Sequence, residues 1–213
     1  SLNSPASQVA QKAELNNIIP VMRKAGFKSE IPVLPAVALG VSEHTPFEVL
    51  QAYQTLARLG NYKKLTFIKA IEDEAGQVVF TENSTEGEQV IDLKKSAELI
   101  GMMKQGVQNG TAKALASLPF SKISAGKTGT TSQGKDTWFT GYTPNITTVV
   151  WIGFDLNLPT TLTGASGAVP IWGNYMKIAA LKYGSEDYLW PEGVKSKEYE
   201  FPDLKEKVNL IVE

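Results

Sequence analysis

Ser124-Ala125-Gly126-Lys127-Thr128-Gly129-Thr130-Thr131 sets one lysine among small and hydroxylated residues, with a glycine on either side of the Lys-Thr pair. Glycines let another molecule approach the backbone closely. Lys127 supplies a point charge, and Thr128, Thr130 and Thr131 supply short hydroxyl donors and acceptors. Such a strip suits a ligand with a carboxylate and a peptide-like backbone. On this stretch alone a second reading stands beside it, a glycine-threonine turn with a solvated lysine.

Gly126-Lys127-Thr128 also looks like the end of a phosphate-binding loop. That motif needs a glycine five residues earlier, where Ser121 stands, and a helix directly after the Lys-Thr pair. Gly129 to Gly134 is poor helix material. The run Asp136-Thr137-Trp138-Phe139-Thr140-Gly141-Tyr142 that follows is aromatic and threonine-rich, as strands are. The nucleotide reading fails. Ile146 to Asp155 forms a second strand across Thr143-Pro144-Asn145, and its core Thr148-Val149-Val150-Trp151-Ile152 is apolar enough to be covered on both faces. The strip is thus expected as the first of three antiparallel strands, at the edge of a cleft.

Upstream, Ser4-Pro5 reads as the entry of a helix reaching about Leu15, and a second helix runs from near Asn17 to Gly26. Thr45-Pro46-Phe47-Glu48 is a capping box, and the helix it opens carries Val49, Leu50, Tyr53, Leu56 and Ala57 on one face. His44, just before the cap, is expected to pack at the helix entrance. A hairpin turns at Asp73-Glu74-Ala75-Gly76, and Asp92 caps a helix through about Gln108 in which Met102 and Met103 fill core. Gly164-Ala165-Ser166-Gly167-Ala168 reads as a loop, and Pro170 starts a helix to about Tyr183. Residues 184–213, with Pro191, Pro202 and many charges, read as a loosely packed tail.

Composition narrows the function. A net charge of -1 argues against nucleic acid, which needs a basic face. No apolar run approaches the roughly 20 residues that span a bilayer. With no cysteine and one histidine, thiolate chemistry is excluded, and neither a metal nor a cofactor is expected.

Taken together, Lys127-Thr128-Gly129-Thr130-Thr131, Asp136 to Pro144, Val150-Trp151-Ile152-Gly153, Thr45 to Val49 and Gly164 to Ala168 resemble the transpeptidase domain of bifunctional, class A penicillin-binding proteins. Ser1-Leu2-Asn3 matches the serine-x-asparagine element of that family and Lys127-Thr128-Gly129 its lysine-threonine-glycine element. The resemblance implies an α/β chain of the α+β type, an antiparallel sheet flanked by helices as in serine β-lactamases. It covers residues 1–183 as the C-terminal portion of such a domain, with residues 184–213 outside it.

The resemblance further implies acyl transfer on the D-Ala-D-Ala end of peptidoglycan stem peptides, with β-lactam antibiotics acylating the same serine. Ser1 would relay a proton, Asn3 would hold the substrate amide, and Lys127 would keep the site electropositive. Thr128 and Thr130 would bind the terminal carboxylate beside Gly129 and Thr131, and the Thr130 amide would help form the oxyanion hole. The family's nucleophile is a serine opening a helix with a lysine three residues on, upstream of the serine-x-asparagine element. Ser124 with Lys127 and Ser132 with Lys135 have that spacing, but glycines interrupt any helix at either. The expectation is therefore a chain lacking its nucleophile. It would be anchored, by a segment not present here, at the outer, periplasmic face of the bacterial cytoplasmic membrane, with the rest of the domain and a glycosyltransferase domain as its partners. The alternative is a module that binds wall peptide or β-lactam without turnover.

Overall fold

The computed structural model describes residues 2–83, 86–184, 186–201 and 206–213. Two helices open it, α1 (Asn3–Ala13) and α2 (Leu15–Ala25). Leu2 rather than Ser4 holds the cap position of α1 and makes no side-chain cap bond. Pro5 falls in the first turn, where a missing N–H costs nothing. A positive φ at Glu14 separates the helices, so α2 starts two residues before the expected Asn17. Gly26, at φ +129°, ends α2 as expected.

The capping box of α3 (Pro46–Ala57) is present in both directions. Of the expected face only Ala57 is buried, together with Glu48, Gln51, Ala52 and Thr55, while Val49, Leu50, Tyr53 and Leu56 are half-buried. The polar members are buried because each has partners. Thr55 Oγ1 donates to Ala25 O (3.0 Å), and the Gln51 amide group binds Lys63 O (3.0 Å) and Leu65 N (2.8 Å).

Two short pairs follow. β1 (Asn61–Tyr62) pairs with β4 (Glu88–Gln89), and β2 (Ala70–Glu72) with β3 (Val78–Thr81). The expected turn at Asp73–Gly76 is closed by Asp73 Oδ1, which accepts the amides of Ala75 and Gln77 at 2.9 Å. Asp92 caps α4 (Leu93–Gln108) through the amides of Lys94 and Lys95. Only one methionine there fills core: Met103 packs beside Tyr142, whereas Met102 is exposed.

β5 (Ala125–Thr130), β6 (Thr137–Tyr142) and β7 (Thr147–Ile152) form an antiparallel meander in the order β5-β6-β7, with Lys127 opposite Thr140 and Thr140 opposite Val149. β7 is not covered on both faces, contrary to its apolar run. As an end strand it is half-buried, and Trp151 is exposed, held by its indole N–H to Asp136 Oδ1 (3.0 Å).

Alternate residues of β6 feed two cores. Phe139 joins Val107, Leu115, Phe120, Trp172 and Met176 on one face of the sheet. Tyr142 joins Ala125, Ile100, Ala57 and Tyr188 on the other. The segment Gly164–Ala168 is no loop. It is a turn of π-helix, capped by Thr163, that runs straight into α5 (Val169–Tyr183).

The reading of residues 184–213 as loosely packed is also corrected. β8 (Lys195–Phe201) and β9 (Glu206–Val212) pair along their full length and dock on α4. Gln105 Nε2 donates to Asn209 O (2.7 Å), and a Cβ on Gly101 would stand 2.6 Å from Ile211 Cβ. A hairpin needs only one sheltered edge, so its many charges did not prevent it.

Candidate substrate-binding strand

Lys127, Thr128, Gly129 and Thr130 all lie on β5, an end strand with no other strand on its outer side among the described residues. Thr131 leaves the strand: its amide donates to Asp136 O (3.0 Å) and its hydroxyl accepts from Asp136 N (2.8 Å), closing the β5–β6 turn. The 131/136 pair is thus hydrogen-bonded. Antiparallel alternation then makes 129/138 and 127/140 the next bonded pairs and turns the N–H and C=O groups of Gly126, Thr128 and Thr130 outward.

Two of those outward groups, and one side chain beside them, are partly spoken for. Gly126 O faces α4 at Gly106, where a Cβ would come within 3.1 Å. Thr128 O accepts the ammonium of Lys127 (2.7 Å). Thr130 is exposed and lends its side-chain oxygen to Gly164 N–H (2.9 Å). Lys127 is exposed as a residue, yet desolvation of its amino group pulls its pKa below the usual lysine value. The strand therefore offers a cation, two hydroxyls and outward amides along one edge.

The glycines answer to the core as much as to a ligand. A Cβ on Gly126 would meet the Phe139 ring at 2.6 Å, and one on Gly129 would meet Trp138 at 3.1 Å. Gly164 is tighter still, with Trp138 O at 2.6 Å and Gly129 O at 2.8 Å from its missing Cβ. Gly164→Ala is expected to push the π-turn off β5, break the bond to Thr130 and cost about 2 kcal/mol. Chemical denaturation checks the value, and a loss under about 0.5 kcal/mol would mean that the turn shifts freely.

Of the remaining expected site residues, Ser1 lies outside the described residues. Asn3 opens α1, which packs on α2 and the 3₁₀ turn Pro35–Leu39. Neither serine-x-x-lysine spacing opens a helix. Ser124 is fully buried and donates to Phe120 O (2.8 Å), while Ser132 starts a short turn in which Gln133 has φ +64°.

His44 stacks on Phe27, ring centroids 4.4 Å apart, at the entrance of α3 as expected. It lines a cavity of about 600 Å³ with Ser29, Glu43 and Thr45, away from the β5 residues. Two contacts of the strand had no signal in spacing or composition: Gly164 N–H on Thr130, and Thr111, whose Oγ1 lies 2.7 Å from Thr128 Oγ1.

The penicillin binding protein transpeptidase domain, as a family profile, matches residues 24–177, most of the chain and all of β5 to β7. The chain belongs to this family. Penicillin-binding protein 1A of Aquifex aeolicus is 38% identical over 91% of the chain, and penicillin-binding protein 1B of Vibrio cholerae 36% identical over 91%. The chain spans only 27% and 25% of these two relatives. Among solved structures, penicillin-binding protein 1A from Haemophilus influenzae superimposes with a TM-score of 0.84 at 22% identity, over 98% of this chain and 38% of that one. PonA1 from Mycobacterium tuberculosis gives 0.69 at 26% identity, over 82% and 52%. The α+β fold with its antiparallel sheet is therefore that of penicillin-binding transpeptidase domains.

Proposed function

We propose that the chain forms the lysine-strand side of a D,D-transpeptidase site, which carries out serine acyl transfer on D-Ala-D-Ala stem peptides during wall cross-linking. The observation that carries this reading is β5: an open strand edge with outward amides, flanked by a cation and two hydroxyls. An extended peptide adds to such an edge through main-chain bonds, and its side groups then fall into fixed positions. Lys127 holds the site positive as negative charge develops. Thr128 and Thr130 receive the terminal carboxylate, and the outward Thr130 amide donates to the oxyanion. Gly129 keeps the strand flat against Trp138. Thr131 serves by closing the turn. Ser1 and Asn3 keep the roles that the family pattern gives them, proton relay and substrate hold, and the reaction runs at the outer face of the cytoplasmic membrane.

A second reading rests on one observation: neither serine-x-x-lysine pair among the described residues opens a helix. On that reading the chain binds wall peptide or β-lactam without turnover. Labelled penicillin followed by intact-mass measurement separates the two. The product of the whole gene is expected to gain one adduct, and the 213-residue chain none. An adduct on the isolated chain would place the nucleophile within it. No adduct on either would leave binding without turnover.

A further inference from the structure

Thr111 sits in the turn that closes α4, held by Ala112 N on Gly106 O (3.1 Å) and Lys113 N on Gly110 O (3.1 Å). Ala112 is 1% exposed, so the turn is anchored in the core directly behind Thr111, which itself faces solvent. The Thr111 and Thr128 hydroxyl oxygens are 2.7 Å apart, and either can donate. A hydroxyl carries one proton. If Thr128 donates to Thr111, it has none left for a ligand. If Thr111 donates to Thr128, the Thr128 proton is free to point along the strand edge.

Thr130 next to it is already fixed in the second sense. Its oxygen is occupied by the Gly164 amide, a donor that cannot reverse. That bond does not use its own proton, which can be offered to a ligand. We propose that Thr111 is a positioning residue that does for Thr128 what Gly164 does for Thr130. An anion at the strand edge accepts a hydrogen bond from the Thr128 hydroxyl, and Thr111 then donates to the Thr128 oxygen. The pair of hydroxyls thus presents two protons side by side at the strand edge, which favours a carboxylate terminus, with two charged acceptor oxygens, over an amide-capped one. This rests on the reading of β5 as a carboxylate site.

The test titrates the chain with N-acetyl-D-alanyl-D-alanine and with its C-terminal amide, following backbone amide shifts. Wild type is expected to prefer the acid by about tenfold or more. Thr111→Val should weaken the acid about fivefold and leave the amide unchanged, and Thr111→Ser should restore the acid. Thermal midpoints of both variants should match wild type, since Thr111 is exposed. Equal weakening of both ligands, or no weakening by Thr111→Val, would overturn the positioning role while the site stands. Wild type binding neither ligand would instead remove the carboxylate site itself, and the inference with it.

Discussion

Replacing Lys127 by alanine is expected to slow acylation of the whole gene's product by labelled penicillin about 100-fold, with the thermal midpoint moving by no more than about 2 °C. The two effects part company because they draw on different states. In the resting fold Lys127 is exposed and its ammonium rests on the neighbouring Thr128 carbonyl, an arrangement that water can replace cheaply. On the proposed reading, the same charge stands in the transition state beside a developing oxyanion and a carboxylate, where a preorganised group contributes about 3 kcal/mol. Desolvation already lowers its pKa in the resting fold, and a bound anion would favour the charged form. Stopped-flow acylation and calorimetry decide it. Matched losses of rate and stability would mean a structural lysine.

Glu48→Gln should have the largest effect on stability, about 3 kcal/mol and roughly 10 °C in midpoint. The carboxylate accepts five hydrogen bonds, from the amides of Lys28, Ser29 and Thr45 and the hydroxyls of Ser29 and Thr45, between 2.5 and 3.1 Å. It ties the loop after α2 to the start of α3. Burial alone would raise its pKa. The Ser29 hydroxyl and the three amides outweigh that and hold it far below the usual glutamate range. A depressed folded pKa means that this stabilisation is complete above the unfolded value near pH 4.5 and falls away as the pH drops toward the folded one.

His44 adds an earlier decline, because desolvation lowers its pKa despite the attraction of Glu48. Its contribution is whole above about pH 6.5 and is lost below. Urea midpoints from pH 7.5 to 3.5 should fall in two stages in wild type. In Glu48→Gln the lower stage should be absent, and a lower stage of undiminished size in that variant would assign the acid sensitivity to other carboxylates.

Much of this fold is written in local signals. The Thr45–Glu48 box, the Asp92 cap, the Gly26 stop and the β5–β6–β7 run all depend on residues within a few positions of one another, and each appears where its chemistry puts it. What escaped the sequence depends on distant partners. Thr55 and Gln51 look like surface residues until Ala25 O and the 63–65 backbone arrive to bind them. The β8–β9 hairpin reads as charged tail until α4 offers a bare Gly101 to Ile211. The same holds for the strip. Its strand was legible, but the two neighbours that set its hydroxyls come from positions 111 and 164.

The open edge of β5 has one more consequence. A row of outward amides is also what a second polypeptide copies when proteins clump, and on the proposed function β5 has to receive a peptide and cannot be roofed over. Here the features that receive also deter. Two glycines in six residues give β5 little intrinsic strand propensity, its threonines carry no large apolar surface, and Lys127 repels an identical strand brought alongside. β5 holds its shape through its pairing with β6, where Phe139 and Trp138 press against its glycines, and through its packing on α4. On the proposed function a short guest with its own negative end docks there, while a long greasy neighbour gains little by doing so.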